Sequence, residues 1–405
     1  MMNVKIIRGD SIDVMASMTP ESVATIITDP PYGIKFMGKD WDAGVPGVAY
    51  WRKALMVCKP GAFLLAFGGT RTFHRLTCAI EDAGWEIRDC VLWLYGSGFP
   101  KSLDVSKAID KAARMERAVV GSGKPRGSSD KYAQDDYSKA MAGKPFDITA
   151  PATDEAKLWQ GYGTALKPAW EPIIVARKRL DGTVADNVLK HGTGALNIDG
   201  GRIPTNDNTT AIRRSYGFTK NTEKAAESGC KGKMRDRSDP VKKALHHSSD
   251  KLGRWPANLI HDGSEEVVSG FPETGPSKAH NRGLMGKTPF SKIDASGLNE
   301  GTKSIRGHSD TRGSASRFFY TAKASQSQRG EGNNHPTVKP LALLEYLVKL
   351  TKARTSGTVL DPFMGSGTTG IACQNVGVDF VGIEINADYC DIARKRLSHG
   401  ELFEQ

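Results

Sequence analysis

Short apolar runs alternating with helix-periodic stretches open the chain. Asn3–Arg8 and Val23–Thr28 read as strands on either side of a helical turn at Ser11–Met18. Trp51–Val57 reads as helix, Ala62–Phe67 as a buried strand, Phe73–Ala83 as helix and Trp85–Tyr95 as a further β-rich stretch. The same texture returns at the other end: helix Leu341–Leu350, strand Gly357–Leu360, helix Thr368–Val376, strand Phe380–Ile385 and helix Ala387–Leu397. Strands that alternate with helices predict a mostly parallel α/β sheet.

Between these ends the pattern weakens. Ser106–Arg117 reads as a charged helix, and Gly121–Lys144 is too polar to bury a core of its own. Residues 102–161 are therefore expected to leave the sheet as an excursion, and Pro168–Arg179 returns to it. Leu180–Gln328 is dense in Gly, Ser, Asn, Lys and Arg, with two apolar islands at Gly194–Pro204 and Gly253–Val268. The expected organisation is a first half of the fold over 1–180, an irregular inserted region over 181–328, and a second half over 329–405.

Composition narrows the class. At 39% hydrophobic and 25% charged, the 405 residues suit an ordinary globular protein with a sizeable core. No apolar run is long enough for a bilayer, and the N-terminus lacks a signal peptide's pattern; a cytoplasmic protein away from membranes is expected. Six scattered cysteines without a C-x-x-C pair argue for reduced thiols and against a zinc site. His246-His247 and His261 read as surface histidines rather than metal ligands. A net charge of +11 points to a polyanionic partner, weakly until a nucleotide-handling site stands beside it.

Two motifs supply that site. Asp29-Pro30-Pro31-Tyr32 follows directly on the apolar strand Val23–Thr28, where open α/β sheets bind ligands. An aromatic amine is a poor nucleophile because its lone pair is shared with the ring. The Asp29 carboxylate and the Pro30 carbonyl can accept both amine protons and free that pair. The successive prolines fix φ and donate no N–H, and Tyr32 can stack on an extruded base. Alone, the tetrapeptide reads equally as a tight turn.

The second motif, Asp361-Pro362-Phe363-Met364-Gly365-Ser366-Gly367, links a strand to a helix through a glycine bend. Gly365 and Gly367 let the backbone approach a ligand closely, and Glu384 ends the next strand, placed to accept from ribose hydroxyls. Gly365, Gly367 and Gly370 also satisfy the G-x-G-x-x-G of nicotinamide sites. That reading fails because the loop lies near the C-terminus with too little chain behind it.

With His335-Pro336-Thr337-Val338-Lys339-Pro340 ahead of the glycine bend, these motifs resemble the amino-DNA methyltransferases of the β arrangement. That family places its catalytic motif first, then a variable target-recognition region, then its cofactor half. The resemblance covers roughly the first hundred and last seventy residues; Pro168-Ala169-Trp170-Glu171-Pro172 and Arg254–Asp262 also resemble stretches of phage-associated members. It implies the Rossmann-like, S-adenosyl-methionine-dependent methyltransferase fold, with 181–328 as the recognition region. It assigns Asp29, Pro30, Pro31 and Tyr32 to the target base. It assigns Asp10, His335, Thr337, Lys339, Pro340, Asp361, Phe363, Gly365, Ser366, Gly367 and Glu384 to the cofactor.

The activity so implied is methyl transfer from S-adenosyl-L-methionine to adenine N6 in double-stranded DNA, by direct displacement on a flipped base. Asp in the first motif position favours adenine N6, whereas Ser is commoner in cytosine-N4 members; the N4 activity and a catalytically silent DNA-binding relative stay open. A homodimer is compatible with the family. Lys and Arg at 213, 214, 231, 233, 235, 237, 242 and 243 suit phosphate contact, and no compact reader module is visible, which suggests a relaxed or short target.

Overall fold

The computed structural model describes residues 2–33, 44–98, 100, 102–123, 146–205, 253–276, 280–282, 304–306, 312–322, 338–354 and 357–398. One compact unit takes Met1–Tyr95, Glu171–Glu331 and Thr337–Gln405; the other takes Gly96–Trp170 with Gly332–Pro336.

The first unit is built on strands β1 (Val4–Arg8), β2 (Val23–Thr28), β3 (Cys58–Phe67), β4 (Glu86–Leu94), β5 (Trp170–Arg177), β6 (Leu259–His261), β7 (Tyr320–Thr321), β8 (Thr358–Asp361) and β9 (Asp379–Glu384). They form one sheet in the order β1-β9-β8-β2-β3-β5-β4-β6-β7. From β1 to β3 every pairing is parallel, whereas β5 runs antiparallel to β3. All six residues of β2 are buried, the signature of a central strand covered on both faces.

Alternation along the strands divides the core. Ile26, Leu64 and Leu360 face one side, with Met15 of helix α1 (Ser11–Ser17), Trp51 and Ala54 of α2 (Val48–Val57), and Leu76 and Ile80 of α3 (Phe73–Asp82). Ile27, Leu65 and Val359 face the other. There they meet Leu343 and Leu347 of α5 (Leu341–Thr351), Ala372 of α6 (Thr368–Val376) and Ala393 of α7 (Ala387–Ser398); α4 (Val184–His191) lies between β5 and β6 in the chain. The result is a three-layer, Rossmann-like α/β fold: the alternating pattern predicts its mostly parallel sheet, and the family resemblance its Rossmann-like form. Strand order reverses between β8 and β2: β9 and β1 continue on one side, β3 on the other. That reversal point, at the carboxyl ends of β2 and β8, is where such sheets bind ligands.

The inserted region is not wholly irregular. The Gly194–Pro204 island closes the end of α5, where carbonyls lack intrahelical donors: Asn197 N–H donates to Leu350 O (2.8 Å) and its side chain to Lys349 O (3.0 Å). The second island supplies β6, which pairs parallel with β4 and β7. This corrects the reading of His261 as a surface histidine. It is 2% exposed on that strand, Gly263 N–H donates to its Nδ1 (3.1 Å), and Nε2 faces Ser316 O at 3.2 Å. His246 and His247, and the basic residues at 213, 214, 231, 233, 235, 237, 242 and 243, lie outside the described residues.

In the second unit the charged helix is shorter than the sequence predicts, Val105–Ala112. Arg117 leaves helical register to pair with Asp110 (2.6 Å), which also accepts from Ala152 N–H and Thr153 N–H, each at 3.0 Å. With the Thr153 hydroxyl as a fourth donor (2.8 Å), this polar hub at a buried carboxylate outweighs the helix propensity of Arg-Met-Glu-Arg. The flanks of the polar excursion pair as antiparallel strands, Val119–Gly123 with Phe146–Thr149; residues 124–145 lie outside the described residues.

Candidate active site

The two motifs, more than three hundred residues apart, end on neighbouring strands. β2 and β8 pair directly, Ile26 opposite Leu360, so Asp29 and Asp361 leave the same edge of the sheet. Thr28 Oγ1 donates to Asp361 Oδ1 (2.8 Å), Thr369 Oγ1 to its Oδ2 (2.6 Å) and Phe363 N–H to Oδ1 (3.1 Å). Asp361 is thus the buried junction of the two motifs. Burial pushes its carboxyl up to about 6; the bonds from Thr369, Thr28 and Phe363 oppose this, and the charge of Asp29 adds to it. Its folded value lies above its unfolded one, so the cost of ionising it is absent in acid and fully present above about pH 6. Between pH 5 and pH 7.5 wild type should lose about 1–2 kcal/mol that Asp361→Asn does not. Urea unfolding at both pH values checks this.

At the end of β2, Tyr32 and Lys339 converge on Asp29. The Tyr32 hydroxyl donates to Asp29 Oδ1 (2.7 Å), and Lys339 Nζ lies 3.0 Å from Asp29 Oδ2. Lys339 also donates to the Tyr32 oxygen (3.0 Å) and sits over the rings of Tyr32 and Phe67, 5.3 and 5.0 Å from their centroids. The backbone of Tyr32 is pinned by Thr72, whose hydroxyl donates to its carbonyl (2.6 Å). A third acid, Glu171 on β5, brings Oε2 to 3.0 Å from Lys339 Nζ and 3.3 Å from the Tyr32 hydroxyl. Burial works against the charge on Lys339, but Asp29 and Glu171 more than restore it and hold its pKa above the usual lysine value. Burial and the same two carboxylates keep Tyr32 protonated.

Across the sheet edge, β1 and β9 end together, Arg8 opposite Glu384. Asp10 caps α1, accepting from Ile12 N–H (2.8 Å). Glu384 accepts from Gly365 N–H on Oε2 (2.9 Å) and from Asn386 N–H on Oε1 (2.8 Å). The bend turns at Gly367, where φ is +81° and an added Cβ would stand 2.9 Å from that of Ala393. Ser11 Oγ donates to Pro362 O (2.6 Å), fastening α1 to the loop.

Sequence reasoning missed four residues here. Glu171 carries no local signal of a role. Tyr50 of α2 stacks on Phe363 (5.0 Å, 22°); its buried hydroxyl has Ser11 for a neighbour but closes no well-aligned hydrogen bond. Arg396 of α7 clamps the bend, donating to Ser366 O (2.5 Å) and Thr368 Oγ1 (3.1 Å). Ile385 is 66% exposed beside Glu384. Of the third motif, Lys339 turns toward Asp29 and Pro340 caps α5; His335 and Thr337 lie outside the described residues.

The unpaired Tyr50 hydroxyl, the carboxylates Asp10 and Glu384, and the open glycine bend fit a ligand that carries hydroxyls and an amine. Among the described residues no helix is long and apolar enough to cross a membrane.

Type II methyltransferase M2.LlaDCHI of Lactococcus lactis subsp. cremoris is 36% identical over 84 residues, 21% of this chain and 31% of that protein. DNA adenine methyltransferase YhdJ of Escherichia coli (strain K12) is 46% identical over 67 residues, 16% of this chain and 22% of that protein. The chain thus spans under a third of the length of these curated relatives. Among solved structures, PvuII DNA methyltransferase (cytosine-N4-specific) aligns over 97% of this chain and 86% of its own, at 12% identity and a TM-score of 0.41. The family model described as DNA methylase, of the N6 and N4 methyltransferases, matches residues 23–395. This chain therefore belongs to the N6/N4 DNA methylase family.

Proposed function

We propose that the chain transfers a methyl group from S-adenosyl-L-methionine to adenine N6 in double-stranded DNA. The observation that carries this reading is the Asp29 carboxylate standing at the strand reversal beside the glycine bend, with the Tyr32 ring at its side. S-adenosyl-methionine supplies an electrophilic methyl on a sulfonium, whose sulfur keeps the C–S electron pair as the methyl leaves. Glu384 and Asp10 would hold its sugar and adenine, and Phe363 with Gly365 and Gly367 would line its path. Asp29 accepts a hydrogen bond from one amine N–H and the Pro30 carbonyl from the other, so the nitrogen lone pair is freed before the new bond forms. The methylated nitrogen is briefly cationic and loses one of these protons to water. Positioning and electrostatics therefore carry the catalysis without a strong general base.

A base amine cannot reach Asp29 inside a duplex, so the target base must leave the stack, with Tyr32 as its stacking partner. Asp rather than Ser at position 29 favours adenine over cytosine N4. Nucleoside mass analysis of duplex DNA methylated by the purified chain decides: N6-methyladenine is expected, and N4-methylcytosine would replace that half of the proposal. The irregular 181–328 region is the proposed recognition segment, reading a short or relaxed target; methylome sequencing of cells expressing the chain would refute this by returning one long, strictly read site.

A further inference from the structure

The described geometry poses a problem for the reaction. Both oxygens of Asp29 are already engaged, Oδ1 by the Tyr32 hydroxyl at 2.7 Å and Oδ2 by Lys339 at 3.0 Å. A base amine arriving at Asp29 must displace one of these donors. A displaced donor left without an acceptor in this buried cluster carries a desolvation cost, most of all the ammonium, whose side chain is only 10% exposed.

Glu171 answers this need by its position. Its Oε2 already lies 3.0 Å from Lys339 Nζ and 3.3 Å from the Tyr32 oxygen, so both donors that occupy Asp29 have a second acceptor in place. The Tyr32 proton has two acceptors and takes the shorter bond, to Asp29. An amine that claims Asp29 Oδ1 needs only a small rotation of that hydroxyl toward Glu171. The ammonium meets both carboxylates at 3.0 Å and can lean to either. We propose that Glu171 is a positioning residue for methyl transfer, receiving Lys339 and the Tyr32 hydroxyl as the target amine takes their places on Asp29. Without Glu171 the ammonium has Asp29 as its one carboxylate among the described residues, and the tight pair withholds that carboxylate from the base. Two acids share one buried cation, so the cluster carries a net negative charge that a neutral residue at 171 would remove.

This inference rests on the proposed reading of Asp29, and the experiment separates the two. Methylation by the full chain is followed with tritiated S-adenosyl-methionine on unmethylated duplex DNA, at saturating cofactor, with cofactor affinity measured by calorimetry for each variant. Glu171→Gln keeps the shape of the side chain and is expected to lower kcat about thirtyfold, near 2 kcal/mol at 1.36 kcal/mol per tenfold, with the KM for DNA and the cofactor affinity within about twofold. Glu171→Asp should recover part of the loss. Removing the ammonium as well, in Glu171→Gln with Lys339→Met, should cost much less than the two single losses combined, because the cation that captures Asp29 is gone. A Glu171→Gln enzyme with wild-type kcat, a loss confined to KM, or fully additive losses would each overturn the proposal. If instead Asp29→Ala proved fully active, the reading of the base site itself would fall, whatever Glu171 does.

Discussion

Asp29→Ala is expected to reduce methylation of duplex DNA by at least about a thousandfold while cofactor affinity changes by no more than about twofold. The size of the effect follows from what the carboxylate is asked to do. It is the anionic group at the base side of the strand reversal that can take an amine proton without being committed to the fold, since Asp361 is locked between Thr28 and Thr369. Folding should tolerate the change: Lys339 keeps its ion pair with Glu171 at 3.0 Å, so no buried charge is orphaned. Cofactor binding should tolerate it as well, because no hydrogen bond to Glu384, Gly365 or Asp10 involves Asp29. Filter-binding of tritiated cofactor beside a methylation assay gives both numbers. A variant that methylates at the wild-type rate would remove Asp29 from the chemistry; one that loses cofactor and activity together would make it a structural acid.

How much of this could be read from residues alone depends on the range over which each signal acts. β2 and β3 were legible because Val23–Thr28 is almost wholly β-branched and Ala62–Phe67 is unbroken apolar, patterns that suit a doubly covered strand. The motif at Asp29 and the bend at Gly367 were legible because Pro and Gly fix backbone geometry locally. Their meeting was legible only through a family resemblance, since parallel pairing of β2 with β8 leaves no mark in either segment. Glu171 was out of reach for the same reason: it stands 139 residues from Tyr32, and an acid between Trp170 and Pro172 has no local reason to seek an ammonium. The helix from Val105 stops early for a tertiary cause, the hub at Asp110, which propensity cannot foresee. His261 misled because a lone histidine beside Asp262 looks solvated until β6 is seen to pair on both edges.

Glu384→Ala should give the opposite phenotype to Asp29→Ala: cofactor affinity about a hundredfold weaker, and kcat at saturating cofactor within about tenfold of wild type. Each oxygen of Glu384 accepts a backbone N–H, from Gly365 at 2.9 Å and from Asn386 at 2.8 Å. Removing the carboxylate therefore strips a partner from the glycine bend as well as the acceptor proposed for ribose hydroxyls. Burial raises the pKa of this carboxyl and the backbone amides of Asn386, Gly365 and Ile385 pull it back down, so it already relies on those donors to stay charged. Glu384→Gln separates the two contributions. Its carbonyl can keep one amide bond, but its NH2 group faces the other amide as a donor and cannot accept from both. It should land between wild type and alanine in affinity, with little change in thermal midpoint if the bend tolerates the loss of one bond. Calorimetric titration of the purified variants with S-adenosyl-homocysteine reads the affinity without any turnover, which keeps the result independent of what happens at Asp29. Wild-type affinity in Glu384→Ala would mean that the carboxylate serves the loop alone and that the sugar is held elsewhere.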